Sequence, residues 1–93
     1  MNLDELENKL DTLTGIDFEE VESIERQLGN STPLITFSSS FQARLAAQAL
    51  GVTPQDIKAL KLPEYNDVIS RVSNFLFGTS ARRIQSKNSG NLQ

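Results

Sequence analysis

The residues that could do chemistry in this 93-residue chain are carboxylates and hydroxyls, because it contains no cysteine and no histidine. That composition excludes disulfides, thiolate nucleophiles, the usual structural zinc sites and imidazole acid-base catalysis. Carboxylate pairs such as Asp4 with Glu7 and Glu19 with Glu22 could form a hydrolytic or metal site, but nothing nearby completes one. The run Ser38–Ser40 has no partner base and suits a helix cap. We therefore predict a protein that is not an enzyme and has no catalytic residue, cofactor or metal.

Two amphipathic helices with acidic outer faces are predicted in the first third of the chain. In the first, leucines recur at steps of three and four between Leu3 and Leu13, with Asn2 as the N-cap. Asp17 would cap the second, whose inward face would carry Phe18, Val21, Ile24 and Leu28. Glycines after helix-periodic stretches predict helix ends at Gly15, Gly29, Gly51 and Gly78.

Three more helices are predicted after a loop that runs from Asn30 to Phe37. The first is capped within Ser38–Ser40 and carries alanines that allow close approach to another helix, namely Ala43, Ala46 and Ala47. Thr53 and Pro54 open a short second helix. The last and longest helix restarts at Pro63, and its stripe should form the core: Tyr65, Val68, Ile69, Val72, Phe75 and Leu76.

These patterns predict an all-α fold, a small bundle of about five helices in residues 1–78. Residues 79–93 carry three bases and no acid, and this composition predicts a flexible, disordered basic tail. No apolar run approaches the roughly 18 residues of a membrane-spanning helix, and the first residues are acidic where a signal peptide is basic. We expect a soluble intracellular protein that does not bind membranes.

Charge divides the chain unevenly. Residues 1–30 hold nine acids against Lys9 and Arg26, whereas residues 31–93 hold seven bases against three acids. The acidic side chains of the second helix, Glu19, Glu22 and Glu25, could attract the basic tail residues Arg82, Arg83 and Lys87 of a neighbouring copy and support a homo-oligomer. The alternative, a solvated helix face with no partner, is the more common role of such residues.

Three consecutive large apolar residues, Phe75, Leu76 and Phe77, cannot all be buried by one helix face. Phe77 is therefore a candidate for an exposed patch that another protein covers. The competing interpretation is burial beneath a loop or the tail.

The stretch from Ala43 to Leu60 fits a helix-turn-helix pattern, with Gly51 at the turn and Val52 beneath it. In a DNA reader, the exposed second helix would bring Asp56 close to phosphates, and the net charge of −3 adds repulsion. A plain αα-corner needs the same small and apolar residues for packing alone. We therefore expect no nucleic-acid partner and keep a DNA-binding regulator as the alternative.

Five short segments follow one another in a particular order: Leu13–Phe18 (LTGIDF), Val21–Arg26 (VESIER), Leu34–Ser38 (LITFS), Ala46–Val52 (AAQALGV) and Val72–Leu76 (VSNFL). In this order and spacing they resemble the tail assembly chaperones of long-tailed bacteriophages and prophages. The resemblance extends from about Leu13 to Gly78. The chain departs from the family pattern at its start, where an acidic helix replaces an extended segment.

The resemblance implies a non-catalytic protein that binds the tape measure protein, keeps it soluble and helps to recruit the tail tube protein. Such a protein acts in the cytoplasm of the bacterial host and is absent from the mature virion. Besides the helix-turn-helix regulator, the alternative from another class is a small helical head-tail connector subunit.

Overall fold

Local capping signals set the bounds of most helices in this protein, and turns of three or four residues join all of them except α2 and α3. A computed structural model describes the backbone of residues 1–92 and the side chains of residues 1–78. The elements are α1 (Leu3–Leu10), α2 (Gly15–Gln27), a 3₁₀ turn (Ile35–Phe37), α3 (Ser39–Leu50), α4 (Pro54–Lys58) and α5 (Leu62–Leu92). Residues 1–92 contain no β-strand, which confirms the all-α prediction. The predicted flexible tail, residues 79–93, lies outside the residues whose side chains are described.

Side-chain caps fix the starts of four helices. Asn2 caps α1, Ser38 caps α3 and Thr53 caps α4, as the sequence predicts. The prediction for α2 was wrong by one turn. Its cap is Thr14, and Asp17 is the third residue of a capping box in which Thr14 N donates to Asp17 Oδ2 at 2.9 Å. That backbone hydrogen bond holds the pKa of Asp17 below its ordinary value.

Only two of the four predicted glycine helix ends are correct. Gly29 and Gly51 follow α2 and α3 with φ of 97° and 70°, the left-handed region that glycine enters without strain. Gly15 instead begins α2, and Gly78 lies inside α5. Both predictions failed because a glycine after an apolar stretch marks a helix end only where the backbone turns left-handed.

Gly51→Ala should destabilise the protein by about 1 kcal/mol, because a Cβ is strained at positive φ. A Cβ at this position would meet no atom within 4 Å, so backbone strain is the whole effect. Gly78→Ala is the matched control, since it also meets open space but lies in a helix, where alanine is favoured. Urea denaturation of both variants measures the difference. Equal stability of the two variants would contradict the assigned backbone conformation of Gly51.

The core is built around α3, which packs against α1, α2, α4, α5 and the 3₁₀ turn. Its alanines Ala43, Ala46 and Ala47 are buried, and their small side chains let the other helices approach closely. Phe41 is fully buried and meets Phe18 of α2 edge-on, with ring centroids 5.0 Å apart. Leu45 of α3 is also buried, and the other elements contribute Leu6, Leu10, Val21, Ile35, Ile57, Val68 and Val72.

Two sequence predictions about the core need correction. The long helix α5 is not its centre: Val68 and Val72 are buried, but Phe75 is only half-buried. The inward face of α2 also differs, because Ile24 and Leu28 are exposed whereas Glu25 is buried. In both helices, the apolar spacing of the sequence extends beyond the part of the helix that another element covers, so the last apolar residues of the stripe are not fully buried.

The αα-corner between α3 and α4 forms as predicted, with Ile57 fully buried against α3. Val52 lies at the turn but is 42% exposed, so its predicted place beneath the turn was wrong. Asp56 accepts a hydrogen bond from Thr53 N at 3.0 Å and completes a capping box. Among the described residues, no helix is both long enough and apolar enough to cross a membrane.

Candidate functional site

Three of the four carboxylates that could have formed a catalytic or metal site contact arginines instead. Asp4 and Glu7 both pair with Arg71 of α5, at 3.7 and 3.3 Å. Glu22 pairs with Arg26 one turn later, at 3.6 Å. Within the described part of the chain, no group of three acidic side chains could hold a metal ion. These carboxylates therefore join helices or stabilise one helix.

Glu25 was predicted to lie on an acidic outer face, but it is only 3% exposed. Its Oε2 accepts a hydrogen bond of 2.7 Å from Arg44 Nε, and its Oε1 accepts one of 2.8 Å from Asn30 Nδ2. Burial alone raises the pKa of Glu25, but the hydrogen bonds from Arg44, Asn30 and Ser40 and the charge of Arg44 together lower it. Glu25 is thus an ionised internal residue that a partner cannot reach.

The other predicted partner-binding charges divide into two groups. Glu19 is exposed on α2, and Glu22 is half-buried against Arg26. Arg82, Arg83 and Lys87 lie outside the residues whose side chains are described, so their predicted attraction to the acids stays a prediction. The structure therefore places Glu19 alone as a freely exposed acid of the predicted set on α2.

The segment that follows α2, residues 30–38, is anchored by side chains on both of its sides. Arg26 Nη1 donates to the carbonyls of Asn30 and Thr32, at 3.0 and 2.6 Å. Gln42 of α3 is 3% exposed and donates to the Thr36 carbonyl at 2.6 Å. Ile35 inserts into the core at 5% exposure. The segment, which we call the anchored loop, is therefore held in one conformation although it lacks long regular structure.

The anchored loop displays an apolar surface, the aromatic patch, which consists of Leu34, Phe37 and Phe77. Leu34 and Phe37 are 64% and 62% exposed, and Phe77 of α5 is 43% exposed. Phe37 N donates to the Leu34 carbonyl at 3.0 Å, so Leu34 precedes the 3₁₀ turn that Phe37 ends. The Phe37 and Phe77 rings lie 5.2 Å apart at 36°. The two rings therefore form one exposed surface from two elements, and Leu34 is exposed one turn before Phe37.

The predicted exposure of Phe77 is confirmed, whereas Leu34 and Phe37 were missed. The anchored loop was predicted as a connection, and a connection gives no periodicity from which to assign an outward face. One signal was present, because residues 27–43 carry no charged side chain around Phe37. A neutral stretch with an aromatic residue outside a helix is a reason to expect a contact surface.

A shallow cleft of ≈ 480 Å³ lies beside the anchored loop, between the end of α2 and the start of α3. Its walls include Leu28, Arg44, Lys58 and the serine run Ser38–Ser40. Lys58 Nζ donates to Ser40 Oγ at 3.0 Å, and Asn30 Nδ2 donates to Ser38 Oγ at 2.8 Å. Among the described residues, every buried side-chain nitrogen and oxygen has a hydrogen-bond partner. The polar groups of this cleft are therefore engaged with one another, and they join α2, the anchored loop, α3 and α4.

Comparison of the chain with protein-family models, with curated proteins and with solved structures found no match. Its function is therefore inferred from its own residues. The aromatic patch is the strongest candidate site among the described residues, because two large apolar side chains of the anchored loop and Phe77 of α5 are exposed to water beside one another.

Proposed function

We propose that this protein is a non-catalytic tail assembly chaperone of a long-tailed bacteriophage or prophage. It binds the tape measure protein, keeps it soluble and helps to recruit tail tube subunits. It acts in the cytoplasm of the bacterial host and is absent from the mature virion. The aromatic patch is the observation that carries the proposal, and the order of the five sequence segments from Leu13 to Leu76 supports its finer identity.

A binder of long helical clients needs apolar surface that is available before the client arrives. The aromatic patch meets that need because Leu34, Phe37 and Phe77 are exposed in the free protein. The anchored loop needs little further ordering on binding, since Arg26 and Gln42 already hold its carbonyls. Such preorganisation lowers the entropic cost of association.

The helix-turn-helix alternative has less support from the geometry of α4. This helix has five residues, and Asp56 in its first turn is engaged in the capping box. A recognition helix needs an exposed face that bears donors for base edges and phosphates. A head-tail connector could use the same aromatic patch, and its presence in purified virions would distinguish it from a chaperone.

Replacing both rings by serine, Phe37→Ser with Phe77→Ser, should weaken binding to the tape measure protein at least about tenfold. Both rings are substantially exposed, so the free energy of unfolding should fall by no more than about 1 kcal/mol. The variant is co-expressed with the tape measure protein. The two readouts are the soluble fraction of the tape measure protein and the amount of chaperone that co-purifies with it.

Ile16→Ser is the matched control, because Ile16 is 75% exposed on α2 and lies outside the aromatic patch. It should leave both readouts unchanged. The proposed function fails if the tape measure protein is equally soluble without the chaperone and the two do not associate.

A further inference from the structure

The fold brings together two parts of the chain that carry no charged residue. Residues 27–43 include the whole anchored loop, and residues 72–81 include Phe77. The 3₁₀ turn packs against α5, and the Phe37 and Phe77 rings meet there. The aromatic patch is thus contributed by neutral segments, although 23% of all residues in the chain are charged.

Of the charged side chains that flank these segments, those that the structure describes, Arg26, Arg44 and Arg71, are engaged within the molecule. Arg26 binds loop carbonyls and pairs with Glu22, and Arg44 pairs with the buried Glu25. Arg71, the last charge before the neutral part of α5, pairs with two carboxylates of α1. Neither neutral segment therefore supplies a charge with which a partner could pair at the aromatic patch.

The size of the aromatic patch bears on the kind of partner. From their exposed fractions, its three side chains offer about 300 Å² of apolar surface, since a whole Phe buries roughly 150–250 Å². A stable protein dimer buries about 800 Å² on each subunit. A second copy bound through the aromatic patch alone would therefore associate weakly. A long client that repeats the same contact gains avidity over many weak sites.

We propose that the aromatic patch binds an uncharged apolar stripe, about two turns long, on a helix of its partner, and that this contact is insensitive to salt. The identity of the partner as the tape measure protein rests on the proposed function. The uncharged, apolar character of the contact does not, because it follows from the neutral segments and exposed rings of this chain, whereas the helical form of the partner rests on the proposed function as well.

The test uses three synthetic helices of about five turns that share one leucine stripe and differ only in flanking residues, which are Gln, Lys or Glu. Amide and side-chain NMR shifts of the full-length protein report the site. We expect perturbations at Leu34, Phe37 and Phe77, and a Kd for the Gln peptide that changes less than about twofold between roughly 50 and 500 mM NaCl. The double variant Phe37→Ser with Phe77→Ser should weaken binding at least about tenfold, and Ile16→Ser should not.

Two outcomes of the peptide test would overturn this inference. One is a preference for the Lys or Glu peptide that salt abolishes, since charged surface would then be the site. The other is a stable dimer without peptide, with shift changes at the same three residues, since a second copy would then be the occupant. Peptide binding at the aromatic patch without binding of the tape measure protein would reject only the proposed function. Binding of the tape measure protein that ignores the double variant would reject only the inference about the aromatic patch.

Discussion

Phe41→Ala should cost about 3–5 kcal/mol of the free energy of unfolding, a large part of what a domain of this size has. The Phe41 side chain is fully buried, and its ring packs edge-on against Phe18. It lies on α3, the helix that every other helix contacts. The cavity would therefore open where α2 and α3 meet, and the alanine-rich helix offers no larger side chain to fill it.

Urea denaturation followed by circular dichroism measures the loss, and Phe75→Ala is the matched control. Phe75 is only half-buried on α5, so its removal should cost clearly less than the removal of Phe41. If Phe75→Ala proved as damaging as Phe41→Ala, the core would centre on α5 and the assigned packing would be wrong.

Local signals made most of the fold predictable from the sequence. Ser38 and Thr53 were recognisable as caps because a hydroxyl side chain before a helix satisfies free backbone N–H groups without any distant partner. Pro54 at the first position of α4 and the positive φ of Gly51 follow from the same kind of rule. Signals of this type depend on neighbouring residues, and those are visible in one sequence.

The inward face of α2 was not predictable in the same way. Periodicity placed Ile24 and Leu28 inside, but no other element covers them in the structure. Glu25 is buried instead, because its carboxylate is paired with Arg44, which lies 19 residues further along the chain. A buried acid requires a specific partner, and hydrophobic periodicity contains no information about that partner.

The candidate site was half predictable, for a related reason. The exposure of Phe77 was predictable, because one helix face cannot bury three consecutive large apolar residues. That of Phe37 was not, because its direction is set by bonds from Arg26 and Gln42 to the carbonyls of the anchored loop. Hydrophobic periodicity gives no sign of those bonds, and the contact of Phe37 with Phe77 joins residues 40 positions apart, so the aromatic patch is a product of tertiary structure.

The ion pair of Glu25 and Arg44 predicts that each single substitution destabilises the protein more than the double substitution does. Arg44→Met should cost about 3 kcal/mol, because it leaves a buried carboxylate without its charged partner. Glu25→Met should cost less, since the Arg44 side chain is 17% exposed and can turn toward water. The double variant should lie within about 1 kcal/mol of the original protein, because packed apolar side chains replace a buried ion pair at little net cost. Chemical denaturation of the four proteins gives the coupling free energy.

The pH dependence of the free energy of unfolding of these variants tests the same ion pair independently. The folded protein holds the pKa of Glu25 below its ordinary 4.5, so the pair stabilises above that pH and loses its contribution as the pH falls through the lowered folded value. In Arg44→Met, burial should prevail and raise the pKa of Glu25, so this variant should gain stability as the pH falls from about 7 to 5. Glu25→Met lacks the carboxyl group and supplies the background from the other acids, including Asp17, whose pKa is also lowered. If the free energy of unfolding depended on pH in the same way for Arg44→Met and Glu25→Met, Glu25 would be in contact with water once Arg44 is removed. The buried ion pair would then not be the contact that holds α2 against α3.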